Sequence, residues 1–229
     1  MRTLHACKDF SDDSKDKSRF KSVIEPIKKH FGKLPDDRII LSTAGLYSRD
    51  KTRLEIYQYL RAGIIRFHKQ FLGVDNGMCN SKGQIDLITE NKRRYGEHTK
   101  YYVPFEQGDI AATCYKHGEK IGFINLDLQN GIPLAFPIFI RVLKYMQNFN
   151  GFGISFNSML STGYNTYLNH FETVREGMER LFNENLEERS FLDSSVTDLI
   201  KQYRLVAMDA YDGTGLSSTV MGTYIFIKE

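Results

Sequence analysis

The segment 121–131 constrains this chain more than any other. Ile121, Phe123, Ile124 and Leu126 make an apolar run of the length of a buried strand. The run closes on Asp127. Gln129, Asn130 and Gly131 then supply turn chemistry, and Ile132 and Pro133 open a new helix. Side chains at the carboxyl end of a strand in an open α/β sheet sit at the edge where ligands bind. Asp127 is therefore either a functional group or the cap of the following helix.

Strand and helix patterns alternate on both sides of this run. Phe20, Val23, Ile24, Ile27 and Phe31 have helical spacing, and Gly32 suits a stop. Residues 38–41 read as a short strand, followed by the small-residue loop Ser42, Thr43, Ala44 and Gly45. Asp50 is placed to cap a helix over 51–61 that Gly63 ends. A strand is expected over 67–74, running into the turn residues Asp75, Asn76 and Gly77. The segment 78–84 is polar, and 85–95 fits helix or strand. A short extended segment over 101–105 leads to Gly108, Asp109 and Ile110, then a helical turn to His117, stopped by Gly118. Pro137 suits a helix start, with Phe139, Val142, Leu143 and Met146 as its apolar face. Residues 151–157 read as a strand that ends in Ser155 and Asn157. Phe171, Val174, Met178, Leu181 and Phe182 mark a long amphipathic helix. Strands over 203–210 and 222–228 close the chain, joined by the Gly- and Ser-rich loop 212–218.

Alternation implies an α/β fold: a doubly wound, mostly parallel sheet with helices on both faces. The last two strands form a C-terminal antiparallel hairpin at one side. Residues 1–18 are charged and read as a flexible tail, which leaves 19–229 as a single domain.

With 31 basic and 28 acidic residues in 229, the net charge of +3 dictates no partner. Lys28 with Lys29, and Lys92 with Arg93 and Arg94, are local basic clusters, read as a solvated face or as phosphate contacts. Cys7, Cys79 and Cys114 have no metal spacing and fit a reducing compartment. The six histidines are scattered and show no metal spacing. The amino terminus is polar, and the apolar stretch 132–143 is too short for a membrane span. A cytoplasmic protein is expected, in a host cytoplasm if the source is viral.

The order of elements and the placement of acids resemble Rossmann-like class I S-adenosylmethionine-dependent methyltransferases, over residues 36–229. In that family the loop after the first strand wraps the methionine part of the cofactor, which the resemblance assigns to Thr43, Ala44 and Gly45. An acid ending the second strand binds the ribose hydroxyls, and Asp75 matches. An acid after the third strand lies beside the adenine, and Asp109 with Ile110 matches. The fourth strand ends in an acid or Asn facing the reacting methyl, and Asp127 matches as the catalytic candidate. The chemistry is consistent. One ionised carboxylate accepts from two vicinal hydroxyls, and a cationic sulfonium is drawn to negative charge.

The family's first loop is commonly Gly-x-Gly-x-Gly, whereas this chain has Gly45 alone. The Asp/Asn-Pro-Pro-Tyr/Phe pattern is absent after Leu126. The resemblance thus implies S-adenosylmethionine as cofactor and a methyltransferase; the basic clusters make nucleic acid the first substrate to try. The lone glycine motivates an alternative, a non-catalytic binding protein on a methyltransferase-like scaffold. A third reading is a metal-dependent nuclease, since Glu90 and Lys92 have Glu-x-Lys spacing with Asp75 or Asp86 upstream. Each acid also has a plain structural reading: Asp75 as a turn residue and Asp109 as a helix start.

Overall fold

The computed structural model describes residues 20–43, 55–75, 105–160, 173–212 and 220–229. Seven strands form one sheet: β1 (Ile39–Ser42), β2 (Phe71–Asp75), β3 (Phe105–Gln107), β4 (Ile121–Gly131), β5 (Phe152–Leu160), β6 (Arg204–Asp212) and β7 (Val220–Lys228). Their order is β3-β2-β1-β4-β5-β7-β6. The first five are parallel, and β7 runs antiparallel between β5 and β6. The expected doubly wound sheet with its closing hairpin is therefore present.

Alternation along the strands divides the core in two. Leu41, Ile124, Leu126, Ile154, Phe156 and Phe226 face one side. There they meet α3 (Ile110–His117), α4 (Ile132–Tyr145), α5 (Val174–Leu192) and α6 (Ser195–Lys201). Aromatic rings dominate this layer: Phe139 stacks on Phe156 at 4.8 Å, and Phe136 meets Phe182 edge-on at 5.1 Å. Ile40, Phe71, Phe123 and Ile225 face the other side. They pack against a π-helical turn (Phe20–Ile24), α1 (Glu25–Phe31) and α2 (Glu55–Ala62). Val23, Ile24 and Ile27 are fully buried there, so the first helix is part of the core.

The helix stops are those expected: Gly32 and Gly63 both take positive φ, at 61° and 72°. Gly73 has a different role. A Cβ at this point of β2 would overlap the Phe105 ring of β3, so glycine lets the two strands pair closely.

Four local expectations are corrected. The strand expected over 67–74 begins only at Phe71, because His68–Gln70 is a 3₁₀ turn. Gln70 holds that turn: its Oε1 accepts from the N–H groups of Arg66 and Phe67, and its Nε2 donates to the carbonyls of Pro35 and Arg38. The central strand runs past Asp127 to Gly131, with a register irregularity between them. Pro137 lies inside α4 rather than at its start. Ile132 opens the helix with Pro133 in its first turn, and burial of Phe136, Phe139 and Ile140 outweighs the bond that Pro137 cannot donate. Finally, α6 was not expected, since its buried face rests on only Val196 and Leu199. The proposed cap Asp50, the segments 78–104 and 161–172 and the loop 213–219 lie outside the described residues, as does the tail 1–18.

Candidate functional site

The strand order reverses between β1 and β4, the pair from which the chain winds outward in both directions. A crevice forms outside the carboxyl ends of strands at such a switch point. On the α1–α2 side, the sheet changes character toward this edge. Ile40 and Phe123 are apolar; one step further along, Ser42, Asn125 and Ser155 are buried and polar. The next row is Asp127, Asn157, Thr223 and Asp209, consecutive register partners across β4, β5, β7 and β6.

Thr43 splices the end of β1 onto β4. Its N–H donates to the Asn125 carbonyl at 3.0 Å, and its Oγ1 accepts from the Asp127 N–H at 2.8 Å. Beneath it lies a buried polar network. Glu55, in the first turn of α2 and 4% exposed, accepts from Ser42 Oγ at 2.9 Å and from Asn125 Nδ2 at 2.8 Å. Asn125 Oδ1 accepts from Ser155 Oγ at 2.5 Å and from Asn157 Nδ2 at 2.8 Å. Asn157 Nδ2 also donates to the Leu126 carbonyl at 3.1 Å. The network thus spans α2, β1, β4 and β5. Among the described residues, two buried atoms of the next row, Asn157 Oδ1 and Thr223 Oγ1, have no hydrogen-bond partner; Ser158 Oγ, on the opposite face, shares that state.

The site residues named from sequence fall as follows. Thr43 and Asp127 come together at the switch point, and Asp127 is partly exposed. Asp127 does not cap α4, whose N-cap position is Gly131. Asp75 ends β2 on the same sheet edge, two strands from Asp127. Asp109 follows β3 and is the N-cap of α3: its Oδ1 accepts from the N–H groups of Ala111 and Ala112, and its Oδ2 pairs with Arg141. Ile110 is buried at the start of α3. Ala44 and Gly45 lie outside the described residues, as do Asp86, Glu90 and Lys92 of the nuclease reading. Among the described residues no group of three or more His, Cys, Asp or Glu side chains could hold a metal.

Glu55 and Asn125 were not named from sequence. Their signals were present: an acid followed by the apolar Ile56 on an amphipathic helix, and a lone amide between Ile124 and Leu126 in a buried strand.

No family profile and no curated protein matches the chain. Solved structures do match its fold. The N-methyltransferase NodS from Bradyrhizobium japonicum WM9 superposes with a TM-score of 0.50 at 11% identity, covering 95% of this chain and 99% of that one. TrmN from Thermus thermophilus gives 0.50 at 8% identity, covering 90% of this chain and 48% of that one. M. jannaschii TYW2 in complex with AdoMet gives 0.45 at 8% identity, covering 99% and 81%. The fold is thus the Rossmann-like fold of class I S-adenosylmethionine-dependent methyltransferases.

Proposed function

We propose that this protein is an S-adenosylmethionine-dependent methyltransferase whose cofactor lies across the β1–β4 crevice. The observation that carries this reading is the sheet order β3-β2-β1-β4-β5-β7-β6 with an acid and a polar network at its switch point. The donor set suits the cofactor. The acids Asp75 and Asp127 at the edge are complementary to ribose hydroxyls and to a sulfonium, and Thr43 fixes the loop start beside them. Asp109 is held by its own helix and Arg141, so in this reading it shapes the adenine end of the site together with Ile110. The likeness to an N-methyltransferase over nearly the full length of both chains supports the same reading.

When bound, the cofactor would supply an electrophilic methyl, and an acceptor that took it would give up its proton to a base. Asp127 is the candidate for that base, or for the group that orients the acceptor. Nucleic acid is the acceptor to test first, given the basic Lys28 and Lys29 on the exposed last turn of α1. The test is transfer of labelled methyl from S-adenosylmethionine to a total RNA pool. Incorporation that falls at least about a hundredfold in Asp127→Ala, the scale of general-base loss, is the expected result. Equal incorporation by both proteins would overturn the role of Asp127.

A further inference from the structure

We infer that the protein holds single-stranded nucleic acid on a basic surface at the amino ends of β1 and β2, with Phe67 as its base-stacking residue. The inference lies away from the crevice and does not need the cofactor. It rests on the nucleic-acid reading of the acceptor and adds a docking surface to it.

Two loops build the surface. Residues 32–38 lead from α1 into β1, and residues 63–70 lead from α2 into β2. They are bonded to each other. The Leu34 N–H donates to the Ile64 carbonyl at 2.8 Å, Gln70 Nε2 donates to the Pro35 carbonyl at 2.9 Å, and Arg66 reaches Asp36 at 3.5 Å. Both loops enter parallel strands at their amino ends, so the surface lies at the end of the sheet opposite the crevice.

Positive charge concentrates there. Residues 25–38 and 61–70 carry seven Lys and Arg against three Asp and Glu, a surplus of four, whereas the whole chain has a surplus of three. Lys28, Lys29, Lys33, Arg61, Arg66 and Lys69 are exposed. Arg38 is turned inward, donating to the Ile121 carbonyl at 2.9 Å. Glu119 and Lys120, which precede β4 on the same edge, cancel.

One large apolar side chain interrupts the basic surface. Phe67 is 40% exposed, with the Arg66 guanidinium 5.2 Å and the Lys69 ammonium 5.3 Å from its ring centroid. Its backbone is pinned. The Phe67 N–H donates to Gln70 Oε1 at 3.2 Å, and the Phe67 carbonyl accepts from the Gln70 N–H at 3.0 Å. A fixed, exposed ring between two cations suits a strand that alternates planar bases with phosphates. A base takes the ring, and the cations turn to the flanking phosphates. A duplex keeps its base faces stacked inside, whereas a single strand offers them. A flat anionic membrane would meet Asp36 and Asp37 together with the cations, whereas a single strand can follow the cations alone. The five residues of β2 place this surface about 17 Å from the crevice edge. A mononucleotide does not bridge that span, so an acceptor held here is a polymer whose reacting base lies several nucleotides from Phe67.

The test is fluorescence anisotropy of a labelled oligouridylate of about twelve nucleotides, titrated with the full chain in the absence of cofactor. Wild type should bind it more tightly than an RNA duplex of equal length. Phe67→Ala should weaken binding about tenfold, the cost of one lost stack, and Phe67→Tyr, which keeps a ring, should retain it. Lys69→Ala should reduce the slope of log affinity against log salt by about 0.7, the share of one phosphate contact on a single strand. Thermal unfolding confirms that each variant is folded. If Phe67→Ala is not, the exposed pair Lys28→Glu and Lys29→Glu takes its place and should also weaken binding at least about tenfold. The inference is overturned if the duplex binds as tightly as the single strand, if phosphatidylserine vesicles bind and the oligouridylate does not, or if affinity survives both Phe67→Ala and Lys69→Ala. Wild-type protein that binds neither nucleic acid would overturn it together with the nucleic-acid reading of the acceptor. Binding of S-adenosylmethionine, measured separately, is independent of each of these results.

Discussion

Asn125 joins both halves of the buried network, donating to Glu55 and accepting from Ser155 and Asn157. Replacing it removes a partner from a buried carboxylate and two donors' acceptor at once. Each buried group left without its partner keeps its desolvation cost, which exceeds the net worth of the bond removed. Asn125→Leu should lower unfolding free energy by about 2–4 kcal/mol in urea titrations. A loss no larger than that of an ordinary surface substitution would show that water compensates Glu55. This network was the least legible part of the site. Asp127 stood out because it ends an apolar run, and Thr43 because the resemblance assigned it to the first loop; both lie at the switch point. Glu55 and Asn125 are separated by 70 positions, and nothing in local spacing shows that a helix start and a strand centre meet.

At the scale of elements, β3 and α3 are tied by an ion cluster as well as by the Asp109 cap. Glu106 of β3 accepts from Lys116 at 3.0 Å and lies 2.8 Å from His117 Nε2, both at the end of α3. Partial burial raises the Glu106 carboxyl, but the bonds and charges of Lys116 and His117 outweigh it and hold the group below its ordinary value of 4.5. A lowered carboxyl stabilises the fold above its unfolded value, and that contribution is lost as pH falls through the folded value. Wild type should therefore exceed Glu106→Gln in stability at neutral pH, with the gap closing below about pH 4. Thermal unfolding of both proteins across pH 3–7 checks this; a pH-independent gap would contradict it. Elements were legible where glycine or an N-cap marks a boundary, as at Gly32, Gly63 and Asp109. They were misjudged where long-range contacts decide. Gln70 folds residues 68–70 into a turn through the carbonyls of Pro35 and Arg38, which no local pattern reveals.

For the whole molecule, the alternation of strand and helix patterns was enough to define a doubly wound sheet with a closing hairpin, because parallel strands require crossovers and short terminal strands do not. The position of the first helix required the structure. Ser22, in the turn that precedes it, donates to Asp209 of β6 at 2.7 Å, and Ile27 is fully buried, so the amino-terminal segment closes the α2 side of the core. That closure leaves the carboxyl edge at β1 and β4 as the place where acids and amides gather, and the central claim is that S-adenosylmethionine binds there. Calorimetric titration of the full chain with S-adenosylmethionine, repeated on Asp75→Ala, tests it most directly. Saturable binding that weakens at least about tenfold in the variant, the cost of losing one charge-assisted hydrogen bond, is the predicted result. Absence of binding to folded wild-type protein, or equal binding by the variant, would contradict it.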